Sequence, residues 1–176
     1  MLENLAARIR EDLYNDSNDW NNDDPNTATF RLALITSAAA LAHHGLLGNI
    51  DYVVLFEDEV DLSSVPTQHL ASLISNVTGQ VMISYKFRGC DLLPILESLK
   101  CEELHLFRQH LGREETQALM RAMESCLKDL VLVLYDVETP DMEALIEKCG
   151  HVKCYLELET MKDHDIRCFQ NGIELI

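Results

Sequence analysis

The segment from Leu104 to Met123 changes its apolar periodicity part-way along. Leu104 and Leu106 have the two-residue spacing of a β-strand, whereas Leu119, Met120 and Met123 have the three- and four-residue spacing of a helix. A strand and a helix within about 25 residues cannot bury both of their apolar faces without neighbours of the same kind. The segment therefore predicts a repeated strand–helix architecture.

Similar units recur along the chain after residue 50. Each has an apolar pair of strand type, and successive pairs begin between 22 and 28 residues apart. These spacings fit parallel strands joined by helical crossovers. We therefore expect an α/β fold, with a parallel sheet of about five or six short strands joined by helices. The pairs are Val53/Leu55, Val81/Ile83, Leu104/Leu106, Leu130/Leu132 and Val152/Cys154. Beyond the last pair we expect a helix within Met161 to Gln170 and a sixth short strand at Ile173 to Ile176.

The first 49 residues differ from the repeats. Leu2 to Tyr14 and Thr27 to Gly45 have helical periodicity, and a polar Asn/Asp-rich loop separates them. The second helix is rich in small residues, which suit close packing, and we expect it to cap the open edge of the first strand. The chain is thus predicted to divide into an N-terminal helical part, 1–49, and a repeat part, 50–176.

Composition restricts the class of partner. Hydrophobic residues make up 47% of the chain, which favours a globular fold, and the formal net charge is −16. Such an excess of acid argues against nucleic acid or an anionic membrane as a partner, and it fits either a basic protein partner or a well-solvated surface.

The chain has no apolar run long enough to span a membrane, and its first residues lack the apolar core of a signal peptide. With six cysteines and no sign of secretion, we expect reduced thiols and a cytoplasmic location.

The cysteines are the main candidates for chemistry. Cys101, Cys126 and Cys149 recur where a helix ends and the next strand begins, and this regularity favours a packing role. Cys149, His151 and Cys154 are potential zinc ligands, but no fourth ligand has a recognisable spacing. If Cys154 lies in the core of a strand, we expect it to point away from Cys149. Phosphate-binding loops and nucleophile elbows are absent from the sequence, so we expect no metal, no cofactor and no catalysis.

Residues Leu106 to Met123, LFRQHLGREETQALMRAM, resemble the ribonuclease-inhibitor-like subclass of leucine-rich repeats. This subclass also forms the sensing end of NLR-type innate immune receptors. The resemblance, which covers about residues 50–160, implies a solenoid with helices on its convex side, a ligand-binding sheet on its concave side and N-terminal capping helices. The chain does not match the nucleotide-binding half of those receptors. The resemblance therefore implies a protein-recognition module that corresponds to the repeat end alone.

Two other classes stay open. Val53 to Ser75, a predicted strand followed by a helix, also resembles the STAS family of phospho-switch domains. That family needs a phosphorylatable residue at the start of a helix after a central strand, and the chain offers Ser84, which lies inside a predicted strand. A doubly wound α/β enzyme needs a glycine-rich turn between a strand and a helix. The chain has seven glycines and no such turn.

The strand positions that alternate with the apolar pairs form the candidate binding surface, which we call the outward face. Alternation directs their side chains away from the core. They carry aromatic and large apolar residues, and an exposed surface of that kind is typical of protein binding. We expect Phe56, Phe107 and Tyr155 to anchor a protein partner, with polar contacts from His105, Arg108 and Lys153. The two rows of the outward face are Val54, Met82, His105, Val131 and Lys153, and Phe56, Ser84, Phe107, Val133 and Tyr155. Two alternatives are that the N-terminal helix covers this face, or that the strand register is displaced.

Overall fold

One sheet of seven strands organises the part of the chain that the structure, a computed structural model, describes: residues 2–16, 25–55, 62–84, 91–135, 139–160 and 165–175. The helices are α1 (Leu2–Asp16), α2 (Pro25–His43), α3 (Thr67–Ile74), α4 (Leu92–Glu97), α5 (Arg113–Ser125) and α6 (Thr139–Cys149). The strands are β1 (Ile50–Leu55), β2 (Val77–Ile83), β3 (Glu103–His110), β4 (Asp129–Tyr135), β5 (Lys153–Thr160), β6 (Asp165–Gln170) and β7 (Ile173–Leu175). A short 3-10 helix, Leu62–Ser64, precedes α3.

The strands lie side by side in the order of the chain. β1 to β5 are parallel, and β6 and β7 add to β5 as antiparallel strands. Each helix from α3 to α6 connects two successive parallel strands, and each packs against the helix before it. The prediction of an α/β fold is confirmed, and the sheet is mostly parallel, with seven strands instead of the expected five or six and with the last two antiparallel. The sheet is not closed into a barrel, because β1 and β7 are its two edges.

The buried side of the sheet carries the predicted apolar pairs of β1 to β4. Leu104 and Leu106, for example, are 0% exposed. The fifth pair is corrected, since Val152 precedes β5 and the buried pair is Cys154 and Leu156. The displacement arises because α6 ends at Cys149 and the chain then turns over residues 150–152 before the strand starts.

The predicted helix within Met161 to Gln170 is wrong for residues 165–170, which form strand β6, while 161–164 lie outside the described residues. Asn171 and Gly172 have positive φ angles of 50° and 78°, the conformation of a two-residue hairpin turn. This turn reverses the chain into β7, which corresponds to the predicted sixth strand but runs antiparallel to its neighbour. Phe169 of β6 is buried against the core.

The two N-terminal helices pack on the same core as the strands. α1 buries Ala6, Ile9 and Leu13, whereas Leu2 and Leu5, which share its helical apolar spacing, are exposed. α1 continues to Asp16, and α2 already begins at Pro25. Among the described helices, none has both the length and the apolarity needed to cross a membrane.

Helix α2 ends just before Gly45, as the sequence predicted. Gly45 has a φ of 69°, its N–H donates to the carbonyl of Ala42, and the N–H of Leu46 donates to that of Leu41. This is the Schellman arrangement, in which a left-handed glycine satisfies the last carbonyls of a helix. The buried small residues Ala38 and Ala39 allow α2 to pack closely on α3.

Helix α1 packs on β1, and α2 packs on α1 and α3. Arg10 links α1 to the start of this strand, because its Nη1 donates to the carbonyl oxygen of Leu47 at 2.6 Å, just before the strand begins. The first helix therefore contacts the first strand directly.

Candidate functional site

The outward face has the predicted register over its first four strands. Val54 pairs with Met82, Met82 with His105, and His105 with Val131. Phe107 likewise pairs with Val133.

The register predicted for β5 is wrong by two residues. Val131 pairs with Tyr155 rather than with Lys153, and Lys153 pairs with Asp129. Because the strand starts after the turn at 150–152, each of its outward residues lies one row earlier than predicted. Tyr155 therefore joins the row of Val54, Met82, His105 and Val131, and Lys153 lies beside Asp129 in a polar row that precedes it.

Three predicted residues lie apart from this arrangement. Phe56 is outside the described residues, and Arg108 lies in β3 but its side chain is not described. Ser84 follows the end of β2 and is 8% exposed. Its backbone N–H donates to the carbonyl of Leu55, and its carbonyl accepts from Gln109 Nε2 at 2.8 Å.

A β-bulge at Arg108 changes which side chains point outward at the end of β3. Phe107 pairs with Val133, but the next pairs are Gln109 with Leu134 and His110 with Tyr135, so Arg108 is the extra residue. Bulges redirect side chains in this way. Gln109 is consequently buried, which the alternation of apolar residues in the sequence did not predict. On the outward side, the rings of His110 and Tyr135 lie 5.5 Å apart.

The centre of the outward face is apolar and half-buried. Phe107 packs edge-on against His105, with 6.0 Å between ring centroids and an 86° angle between planes. Apolar side chains on neighbouring strands extend this surface along the sheet. They are Val54, Met82, Val131 and Val133, each of intermediate exposure.

A polar row lies beside this apolar centre. Gln80 Nε2 donates to Glu103 Oε1 at 2.7 Å, and His105 Nε2 lies 2.8 Å from the same oxygen. Lys153 Nζ donates to Asp129 Oδ2, and this hydrogen bond together with the charge of Asp129 raises the pKa of Lys153. These contacts fix the polar groups along one side of the apolar centre.

Tyr155 has two polar partners on the outward face. Its hydroxyl oxygen lies 3.2 Å from Glu157 Oε2 and 3.7 Å from Cys168 Sγ, and its single proton can be donated to either atom. The hydrogen bond to Cys168, burial and the hydrogen bond to Glu157 together raise the pKa of Tyr155 to about 12. These contacts hold the ring at a fixed place on the face.

We expect Tyr155 to ionise at a pH near its raised pKa of about 12, whereas a free tyrosine ionises near pH 10. Because the folded-state pKa is the higher one, the stability from this group is present below about pH 10 and is lost as pH rises through 12. Phenolate absorbance during a pH titration measures this step, and Tyr155→Phe should remove it. A wild-type titration that is complete near pH 10 would contradict these hydrogen bonds.

Acidic groups predominate around the apolar centre. Among the described side chains on this side of β1 to β5, the carboxylates are Glu103, Asp129, Glu157 and Glu159, and the lysine is Lys153. Asp129 forms an ion pair with Lys153. The surface therefore combines an apolar aromatic centre with an acidic rim.

The described part of the chain contains no group of three or more His, Cys, Asp or Glu residues that could hold a metal ion. The expected separation of Cys154 from Cys149 is wrong, since their sulfur atoms lie 2.9 Å apart in the core. Cys154 points to the buried side of the sheet, and α6 ends there at Cys149. Cys101 is also buried, as a packing role requires, and burial raises its pKa to about 12.

Comparison with protein-family models, curated proteins and solved structures finds no match for this chain. The chemistry of the outward face is therefore what bears on function.

Proposed function

We propose that the protein is a non-catalytic recognition module that binds a protein partner on the outward face of its sheet. The observation that carries this proposal is the apolar, aromatic centre of that face. Its side chains are half-buried by their neighbours, although each lies on the side of the sheet opposite the core. Surfaces of this composition, with a polar rim, are characteristic of protein interfaces.

The order of the elements supports a leucine-rich-repeat-like solenoid as the scaffold. β1 to β5 are parallel and follow the chain order, and successive helices pack on one another. In a solenoid each unit contacts its neighbours in this manner. The outward face is then the concave side and the helices are the convex side. By the resemblance to NLR-type receptors, the module senses a ligand in cytoplasmic innate immunity.

The strand order favours recognition over the two alternatives. A doubly wound enzyme binds its substrate in the crevice where the strand order reverses, and the order from β1 to β5 does not reverse. A STAS-like switch needs an accessible phosphorylatable group at a helix start, whereas Ser84 is buried and directly follows a strand.

The chemistry of the surface favours a basic partner segment that carries apolar side chains. Phe107 and Tyr155 offer aromatic surface as anchors, and interfaces take much of their binding energy from such residues. The carboxylates of the rim complement lysine and arginine, and the net charge of −16 accelerates the approach of a basic partner.

A selection from a random peptide library on the immobilised protein tests this proposal. We expect the enriched peptides to combine basic residues with aromatic or aliphatic ones, and their affinity to fall as salt rises. Phe107→Ser removes the ring without adding charge, and it should weaken binding of the enriched peptides by about 30-fold, the effect of losing one anchor residue.

Met120→Ser is the matched control, because Met120 is a half-buried apolar side chain of helix α5, on the other side of the sheet. It should bind the enriched peptides as the wild type does once circular dichroism shows that both variants are folded. Equal binding by the wild type and folded Phe107→Ser would refute the outward face as the site, and enrichment of acidic peptides would refute the partner class.

A further inference from the structure

Two cysteine thiols touch in the core at the corner between α6 and β5. Cys149 is the last residue of α6, and Cys154 is the second residue of β5. Both are 0% exposed, and their sulfur atoms lie 2.9 Å apart. Of the other cysteines, Cys126 donates to the carbonyl of Leu99, and Cys168 accepts from Tyr155. No other thiol–thiol hydrogen bond joins the cysteines that the structure describes.

Two hydrogen bonds with Asn171 hold the backbone of Cys154 in this position. Its N–H donates to Asn171 Oδ1 at 2.9 Å, and its carbonyl accepts from the N–H of Asn171 at 2.8 Å. The β6–β7 turn also packs closely against the α6–β5 corner. A Cβ atom on Gly172 would lie 2.8 Å from the Cα of Gly150. With the strand end and the helix end both fixed, the two sulfur atoms are held together as intramolecular reactants.

We propose that Cys149 and Cys154 form an intramolecular disulfide on oxidation, so that the corner between α6 and β5 is a redox-modification site. With hydrogen peroxide as the oxidant, one thiolate attacks a peroxide oxygen, the O–O bond breaks, and the sulfur becomes a sulfenic acid while water leaves. The second thiol then forms the S–S bond and displaces the hydroxyl group as a second water. Two thiols and one peroxide thus give one disulfide and two waters.

Burial of the two thiols slows this oxidation. The hydrogen bond to Cys149 and desolvation raise the pKa of Cys154, which disfavours the reactive thiolate. The pair should therefore resist bulky alkylating reagents in the folded protein and react with small oxidants as the corner opens locally. Reversible oxidation at this corner is consistent with a protein whose thiols are otherwise reduced, and it does not depend on the proposed binding function.

The sequence makes the disulfide directly measurable. Trypsin cleaves after Lys148 and after Lys153, so Cys149 and Cys154 fall on different peptides. The wild-type protein is treated with hydrogen peroxide, its remaining thiols are blocked under denaturing conditions, and the digest is examined by mass spectrometry. We expect a linked species containing the peptides Cys149–Lys153 and Cys154–Lys162. Reduction with dithiothreitol should separate it.

Three variants sharpen the test. Cys149→Ser and Cys154→Ser should each lose the linked species, and Cys126→Ser should retain it. Because the wild-type digest is decisive by itself, a variant that fails to fold does not weaken the result. If oxidised wild type contains the two cysteines only as separate alkylated or sulfinic acid peptides, the proposal is overturned.

Discussion

We expect replacement of Leu106 by aspartate to unfold the protein, whereas the same substitution at the adjacent Phe107 should leave it folded. Leu106 is 0% exposed between β2 and β4 in the core, and Phe107 is half-buried on the outward face. An unpaired carboxylate in an apolar core costs several kcal/mol, on the order of the 5–15 kcal/mol that stabilises a typical domain. Circular dichroism and urea unfolding measure the difference.

The two variants control for each other because they add the same charge at neighbouring positions of one strand. A one-residue shift of register exchanges the two sides of a strand. A folded Leu106→Asp together with an unfolded Phe107→Asp would therefore place β3 in the opposite orientation. We expect the reverse, a cooperative unfolding transition for Phe107→Asp and none for Leu106→Asp.

The first four strands were predictable because their pattern is local. Each has an apolar pair at alternate positions, and burial of one side of the sheet forces that pair inward. In β5 the same rule is ambiguous, since Val152/Cys154 and Cys154/Leu156 both satisfy it. The choice depends on where α6 ends and how many residues its turn uses, which apolar spacing does not report.

The hairpin of β6 and β7 has a local signal in the sequence, the dipeptide at its turn. Asn171-Gly172 is a strong two-residue hairpin turn, and Phe169 precedes it at a core-facing position. The mixture of polar and apolar residues in β6 hides the alternation. The Asn-Gly dipeptide is a stronger local signal for a hairpin than the residue spacing of this segment is for a helix.

The bulge at Arg108 and the contact of Cys149 with Cys154 had no local signal. The bulge depends on pairing with β4, where Gln109 rather than Arg108 meets Leu134. The sulfur contact depends on the end of α6 lying over the buried side of β5. Both are tertiary features, and a single sequence read by periodicity does not contain them.

Gly79→Ala should destabilise the protein by about 3 kcal/mol or more, at the upper end of the cost of overpacking. Gly79 lies in β2 opposite an irregularity of β1, where the register shifts between Ile50 and Tyr52. A Cβ atom at Gly79 would lie 2.3 Å from the carbonyl oxygen of Asp51. That oxygen belongs to the backbone, so the clash is relieved only if β1 and β2 separate.

Gly112→Ala is the matched control for this substitution. Its Cβ atom would lie 2.7 Å from Glu115 Oε2, the far end of a flexible side chain that can rotate away. Gly112 is the N-cap of α5, where alanine is less favourable than glycine, so we expect a loss in the free energy of unfolding of about 1 kcal/mol at most. Urea unfolding of both variants separates the two cases. Equal stabilities would mean that β1 and β2 do not approach closely at Asp51, and the first strand would then need a different register against the sheet.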